Sequence, residues 1–336
     1  TVDTVARVFA MVENIDENVG RLMAGLERME LDQDTLVLFM LDNGPNTRRY
    51  VGPMRGMKTE VHDGGVRSPL FVRWPDQLEA GRRVKQTAAH IDLMPTLLEA
   101  AGLAKPTGVE IDGQSLLPLM RGDKEPDASW SKRTLVLQAH RGTSSNPMHH
   151  VMVLQDKWKL VRPSGFHHPE PKDQTPFELY DLSDDPAETE NLAEKQADVL
   201  KRLQAAYFNW HRAVVPKTFV PARIIVGTEH EPVTALTKQD WHPTVEGGWG
   251  KNGRWLVHAE QAGRYDATLL LREPAKRDSP VTLKVGSRSF QGEIKEGATS
   301  LRVEGVEAPA GDFEIIAVVG EGKQAQGPWQ IEWAKR

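Results

Sequence analysis

The 336-residue chain contains no cysteine, which excludes disulfides and thiolate metal ligands within it. It has no apolar run long enough to span a bilayer. Its first residues, Thr-Val-Asp-Thr-Val-Ala-Arg, lack the features of a signal peptide and open directly into a helical pattern. We therefore expect that the sequence starts at a cut and not at the natural N-terminus. The net charge of -5 is mild and no basic block is present, so nucleic acid is not an expected partner.

The most informative stretch begins with an unbroken apolar run, residues 36–41, followed at once by Asp42, Asn43 and Gly44. Such a run is typical of a strand buried on both faces of a parallel sheet. Ligands of open α/β sheets bind beyond the carboxyl ends of the strands. Asp42 and Asn43 offer side-chain oxygen, which suits a hard cation such as Ca²⁺ or Mg²⁺. A plain hairpin turn is the alternative, because Asn-Gly after an apolar run is a strong turn signal.

Two further residues lie close downstream in the sequence. Lys58 ends the segment Met-Arg-Gly-Met-Lys and would face an anion held by such a cation; a solvated surface lysine is the alternative. His62 precedes an Asp-Gly-Gly segment, and it either points into a pocket beside Lys58 or lies on the surface. Arg67, after that segment, is expected to hold the glycine loop by hydrogen bonds rather than to touch a substrate.

In combination, these segments resemble the second half of a type I (arylsulfatase-like) sulfatase. The resemblance rests on the strand ending in Asp42-Asn43-Gly44 and on residues 54–58, 63–69 (Asp-Gly-Gly-Val-Arg-Ser-Pro), 70–75 (Leu-Phe-Val-Arg-Trp-Pro) and 90–98 (His-Ile-Asp-Leu-Met-Pro-Thr-Leu-Leu). It covers about residues 5–210. One departure is that the family usually has Glu where Asp63 stands.

The resemblance implies a function and a cofactor. Asp42 and Asn43 would complete a Ca²⁺ site, with Mg²⁺ less favoured, and Lys58 would hold the sulfate of the substrate. The family nucleophile is a formylglycine made from Cys or Ser in a Cys/Ser-x-Pro/Ala-x-Arg segment, which this chain lacks. The implied protein is a sulfuric ester hydrolase whose nucleophile lies in an N-terminal half absent from this chain, so the chain alone is expected to be inactive. A periplasmic or secreted location is also implied.

The implied substrate is a sulfated small molecule or glycan. His140 and Arg141 close a predicted strand and resemble a His-Arg pair near the substrate in some relatives; a solvated loop is the alternative. The planar fork of Arg141 suits a sulfate or a sugar carboxylate. Two histidine pairs, 149–150 and 167–168, could be read as metal ligands. Adjacent residues of a strand point to opposite faces, so a position in loops or on the surface is favoured.

The fold class is α/β, with three predicted regions. Apolar residues recur at spacings of three and four between 5 and 26, which predicts an amphipathic helix before the first strand. Residues 1–125 would form part of an alkaline-phosphatase-like doubly wound sheet, and 126–215 a small antiparallel sheet with a C-terminal helix. Residues 222–336 read as a jelly-roll-like β-sandwich, in which tryptophans are core residues or stack on sugars.

Two other functions are compatible with the sequence. A phosphatase or phosphodiesterase of the same superfamily commonly has Asp-His at the strand end and binds Zn²⁺ or Mn²⁺, so Asn43 favours Ca²⁺ and sulfate. A non-catalytic carbohydrate-binding fragment is the third hypothesis, since no nucleophile is found. A Cys/Ser-x-Pro/Ala-x-Arg segment upstream of Thr1 would support the sulfatase, and its absence would support the third hypothesis.

Overall fold

A computed structural model describes residues 2–47, 49–123, 128–139, 146–166, 174–215, 220–243, 251–322 and 325–336. The chain divides into two compact units, Thr1–Pro216 and Lys217–Arg336, and each is described by itself. Within those described ranges, no helix combines the length and the apolar character that a membrane span requires.

The first unit mixes helices with two sheets. Its helices are α1 (Val2–Arg28), α2 (Asp63–Val66), α3 (Leu93–Ala100), α4 (Leu117–Arg121), α5 (Ala128–Lys132) and α6 (Ala197–Val214), with a 3₁₀ turn at His90–Asp92. Its strands are β1 (Val37–Met40), β2 (Leu70–Arg73), β3 (Thr134–Gln138), β4 (Val151–Gln155), β5 (Trp158–Arg162) and β6 (Glu178–Asp181). The order of elements is that of a mixed α/β protein, as predicted.

The predicted amphipathic helix is present as α1, but its apolar stripe is not covered within the described residues. None of its residues is buried, and Phe9 is 68% exposed. The strand after it differs from the prediction: β1 pairs with β2 in antiparallel register, Val37 opposite Arg73, and its residues are half-buried or exposed. Burial on both faces in a parallel sheet requires further strands beside β1, and the described residues place only β2 there.

The predicted antiparallel sheet follows the strand order β3-β4-β5-β6. Its side chains alternate between two covered faces, as the two-residue period of a strand requires. On one face Val153 and Leu160 pack with Leu203 of α6. On the other face Val161 and neighbouring residues pack with Val61, which precedes α2. The sheet therefore supports the loop that contains Lys58 and His62.

The second unit consists of two sheets on a common core. Its strands are β7 (Ile224–Val226), β8 (Val233–Thr237), β9 (His242–Pro243), β10 (Gly253–Ala259), β11 (Gly263–Leu270), β12 (Ser279–Val285), β13 (Arg288–Ile294), β14 (Ser300–Ala308), β15 (Gly311–Val319) and β16 (Gln330–Lys335). One sheet has the order β13-β12-β15-β10-β7, with β9 on β10, and the other β14-β11-β16-β8. Trp255 and Trp333 are fully buried between them, while Trp329 is 47% exposed.

Candidate active site

Backbone hydrogen bonds bring the separate sequence motifs together at the end of β1. The Gly44 N–H donates to the carbonyl of Gly65 at 2.9 Å, and the Lys58 N–H donates to the carbonyl of Pro45 at 2.9 Å. The Ser68 hydroxyl donates to the Leu41 carbonyl at 2.7 Å. The Asp42-Asn43 turn, the segment of Lys58 and the glycine loop therefore form one surface. The side chains of Asp42 and Lys58 are exposed, and Asn43 is half-buried.

Close backbone contact explains the glycines of these motifs. A Cβ placed on Gly44 would lie 1.8 Å from the carbonyl oxygen of Gly64. A Cβ on Gly64 would lie 2.3 Å from the carbonyl oxygen of Gly56, whose own φ is +92°. Only glycine permits the close contacts at Gly44 and Gly64, and glycine is favoured at the positive φ of Gly56. The glycines thus let the strand end, the Lys58 segment and the α2 turn pack backbone to backbone.

The side-chain donor atoms of Asp42 and Asn43 are of the type that a hard cation binds. A carboxylate oxygen and an amide oxygen at adjacent positions are donors that Ca²⁺ accepts, and Ca²⁺ takes six to eight oxygens. Across the described ranges, no group of three or more His, Cys, Asp or Glu side chains that could hold a metal is found. These two residues can therefore supply only part of a coordination shell.

His62 is buried beneath this surface, so the surface alternative for it is wrong. The residue is 2% exposed, and its Nε2 lies 3.6 Å from Glu178 Oε2. Its ring meets Tyr180 edge-on with centroids 6.2 Å apart. Burial, then the charges of Arg55 and Lys159, lower the pKa of His62 to about 4, against a smaller opposing effect of Glu178. The imidazole is neutral at pH 7 and faces the β5–β6 sheet in this structure.

Charged and polar groups around His62 are linked to the same sheet. Arg55 donates from Nη1 to the Tyr180 hydroxyl at 3.0 Å and to the Glu188 carbonyl at 3.2 Å. The Tyr180 hydroxyl donates to Glu178 Oε2 at 2.5 Å. Burial and the neighbouring carboxylate of Glu178 raise the pKa of Tyr180, so the phenol keeps its proton.

A buried ion cluster lies under the first residue of α2. The Lys159 ammonium contacts Asp63 Oδ1 at 2.6 Å and Glu188 Oε1 at 2.9 Å. Glu188 also accepts the Asp63 N–H through Oε2 at 2.7 Å. Lys159 and Glu188 are both 0% exposed, and burial raises the pKa of the Glu188 carboxyl. Arg67 contacts this cluster weakly, because its Nη1 lies 3.7 Å from Asp63 Oδ2 and its side chain is 69% exposed.

His149 and His150 lie in a loop, as predicted, but the surface alternative is wrong because both are 2% exposed. His150 Nδ1 accepts the N–H of Gly165 at 3.0 Å, which assigns the proton to Nε2, and Nε2 then donates to the Thr59 carbonyl at 2.7 Å. His150 therefore ties the residue after Lys58 to the start of β4. His140, Arg141, His167 and His168 lie outside the described residues.

The role of Asp92 is structural in the described residues. Its carboxylate is 0% exposed and accepts the N–H groups of Ala89 and Gln114, at 2.8 and 2.9 Å. Arg133 closes the set, with Nη2 2.7 Å from Asp92 Oδ1. The segment 90–98 thus anchors the loop after α3 to the strand that begins the antiparallel sheet.

Lys159, Glu178 and Glu188 were missed by the sequence analysis. The sequence around Lys159 could have indicated a buried ion pair, because a lysine between the apolar residues of a predicted buried strand requires a buried partner. Glu178 and Glu188 had none, because a strand-edge glutamate and a glutamate in a turn are ordinary solvated residues.

Comparisons with known proteins indicate the class of protein to which the matched residues correspond. A family model described as sulfatase matches residues 3–103, and one described as N-sulphoglucosamine sulphohydrolase, C-terminal, matches residues 57–210. Over residues 3–210 the chain therefore matches sulfatase families, and these residues correspond to the C-terminal part of a type I sulfatase. Members of this family use a metal ion.

Individual relatives agree with this assignment. Steryl-sulfatase of Mus musculus is 40% identical over 124 residues, which cover 34% of this chain and 20% of that protein. Arylsulfatase A of Homo sapiens is 32% identical over 242 residues, covering 64% and 45%. N-acetylglucosamine-6-O-sulfatase of Bacteroides thetaiotaomicron is 28% identical over 203 residues, covering 58% and 34%. The chain spans less than half the length of each of these relatives.

One solved sulfatase structure is similar to part of this chain. The putative sulfatase yidJ from Bacteroides fragilis superposes with a TM-score of 0.47 at 20% identity, over 60% of this chain and 40% of that one. A likeness at this level has no bearing on substrate or mechanism.

Proposed function

We propose that this chain acts in a sulfuric ester hydrolase, where Asp42 and Asn43 hold the metal and Lys58 is a catalytic residue that binds the sulfate. The observation that carries the proposal is the backbone link between the two motifs, from the Lys58 N–H to the Pro45 carbonyl at 2.9 Å. It fixes the ammonium-bearing segment beside the strand end. Both motifs lie in the residues that the sulfatase family model matches.

The chemistry of sulfate transfer requires positive charge at this surface. Cleavage of an S–O bond increases negative charge on oxygens, and preorganised cationic groups stabilise that charge. Ca²⁺ is the proposed metal, because both ligands are oxygen donors, and when bound it would add its charge to that of Lys58. The exposed Lys58 ammonium is held by a loop whose backbone is anchored on both sides, so little reorganisation is needed when sulfate binds.

We propose that an N-terminal half, carrying the formylglycine nucleophile, covers the apolar stripe of α1 and the open side of β1. In support, Phe9 is 68% and Leu22 56% exposed, and Phe39 and Phe71 of the β1–β2 pair are exposed with ring centroids 6.4 Å apart. Contiguous apolar surface of this kind is rare in a free protein. The chain by itself contains no cysteine and no formylglycine segment, so it would be inactive alone.

The proposed substrate is a sulfated small molecule or a glycan. Support comes from the relatives, which include an N-acetylglucosamine-6-O-sulfatase. His140 and Arg141 remain the proposed substrate contacts. The burial of His62 favours a structural role beneath the loop that contains Lys58. For His62 to contact the substrate, this loop would have to move away from the antiparallel sheet. Family membership also supports a periplasmic or secreted location.

Replacing Asp42 tests the metal proposal. In the chain joined to its proposed N-terminal half, Asp42→Ala should lower calcium content and sulfatase activity together, because one of few charged ligands is lost. Asp198→Ala, an exposed aspartate at the start of α6, is the matched control and should change neither. Wild-type calcium content and activity in Asp42→Ala would show that the assignment is wrong.

A further inference from the structure

The cluster of Lys159, Asp63 and Glu188 is buried, and neither Lys159 nor Glu188 belongs to the surface proposed to bind sulfate. Lys159 lies within β5, where Leu160 and Val161 on either face are 0% exposed. A buried charge is costly unless it is paired and hydrogen-bonded. Lys159 has that compensation from two carboxylates, at 2.6 and 2.9 Å.

The cluster holds Asp63 by both its side chain and its main chain. Asp63 Oδ1 accepts from Lys159, and the Asp63 N–H donates to Glu188 Oε2 at 2.7 Å. Position and orientation of this one residue are thus set by two residues that follow it by 96 and 125 positions. Asp63 is the first residue of α2. The same turn contains Gly64 and Gly65, and neither position has room for a Cβ.

A continuous set of backbone contacts runs from Asp63 to the catalytic surface. The Gly64 N–H donates to the Arg55 carbonyl at 2.7 Å, three residues before Lys58. The Gly65 carbonyl accepts from Gly44, next to Asn43, at 2.9 Å. A shift of the α2 turn would therefore displace both the Lys58 segment and the strand end.

We propose that Lys159 and Glu188 are positioning residues, which hold the Asp63 turn and through it Lys58 and the Asp42-Asn43 pair. Buried ion pairs are weak evidence for net stability, since apolar replacements of similar volume are often as stable. Their specific contribution is orientation, and here the oriented group is the turn on which the surface is built. The catalytic consequence rests on the proposed sulfatase function; the structural consequence does not.

Hydrogen exchange on the full chain tests the structural consequence directly. The reporters are the amides of Gly44, Lys58 and Gly64, which donate across the loop contacts. In Lys159→Met, two carboxylates are left together without their cation, and exchange at these amides should accelerate by a factor of about ten or more. The double variant Lys159→Met/Glu188→Met also removes the fully buried carboxylate and leaves Asp63, 8% exposed and 3.7 Å from Arg67, as the only charge of the cluster. Its β4–β6 sheet amides should keep wild-type protection while the three reporters stay fast.

The matched control is Lys157→Met, which removes a lysine two positions away whose 2.6 Å partner is Asp181 and whose side chain is 43% exposed. It should leave the three reporters at wild-type rates. Wild-type protection of Gly44, Lys58 and Gly64 in the folded double variant would overturn the proposal. Equal acceleration of the sheet amides in that variant would also overturn it, because the cluster would then be only part of the fold.

A catalytic readout completes the test in the chain joined to its proposed N-terminal half. At a temperature where all variants are folded, the double variant should show a lower kcat and a higher KM, whereas Lys157→Met should show neither. Wild-type kcat and KM in the folded double variant would refute a positioning role. If the wild type itself lacks sulfatase activity, the proposed function fails, and the exchange experiment alone decides whether Lys159 and Glu188 hold the turn.

Discussion

Acidification should destabilise the first unit through a single buried histidine. His62 has an ordinary pKa of 6.5 in the unfolded chain, and burial with the charges of Arg55 and Lys159 lowers the pKa to about 4 in the folded state. Between these values the unfolded chain binds a proton that the folded chain does not. The stabilising contribution is therefore fully present above pH 6.5 and is lost as the pH falls toward 4. The difference amounts to about 3 kcal/mol.

The assay is urea unfolding of wild type and His62→Gln between pH 4 and pH 7, with a probe in the first unit. Carboxylates away from His62 contribute equally to both proteins, so the difference between the two curves reports His62 together with its neighbour Glu178. We expect wild type to lose more stability than His62→Gln on acidification, by about 3 kcal/mol at pH 4. His258→Gln is the control, because that side chain is 42% exposed in the second unit. Parallel curves for wild type and His62→Gln would refute the reasoning.

Two further predictions concern packing and a buried charge. Gly44→Ala should cost at least about 2 kcal/mol in a thermal melt, because its Cβ would lie 1.8 Å from the Gly64 carbonyl oxygen. Gly20→Ala in α1, with nothing within 4 Å, should instead be neutral or stabilise by up to about 1 kcal/mol, and equal effects of both changes would contradict the packing. Asp92→Asn should cost about 3–5 kcal/mol in urea unfolding, because it leaves the Arg133 guanidinium without its buried carboxylate, and unchanged stability would contradict that pairing.

The site motifs could be predicted from the sequence because they are local. Each one is a short segment whose turn glycines and polar residues are adjacent in the chain, and resemblance to the sulfatase family was sufficient to group them. The helix α1 and the strands of the antiparallel sheet were also predictable, since their side chains repeat at helical or strand periods. The comparisons with known proteins confirm the family assignment of this part of the chain.

Long-range pairing could not be predicted from the same information. The antiparallel partner of β1 follows it by about thirty residues, and an apolar run does not specify the direction of its neighbour. The link from Lys159 to Asp63 spans 96 residues, and the burial of His62 depends on Glu178 and Tyr180, more than a hundred residues away.

The most direct test of the account is the contribution of Lys58 to catalysis. In the chain joined to its proposed N-terminal half, Lys58→Ala should lower kcat by roughly 10²–10³-fold on a sulfate ester, as the loss of one preorganised charge does, with an unchanged melting temperature. Lys58→Arg should restore only part of the rate, because a planar fork does not reproduce a point charge. Lys195→Ala, a lysine whose side chain is 68% exposed, should leave kcat unchanged. A near-normal kcat/KM for Lys58→Ala with an intact melt would contradict the central claim that this surface binds the sulfate.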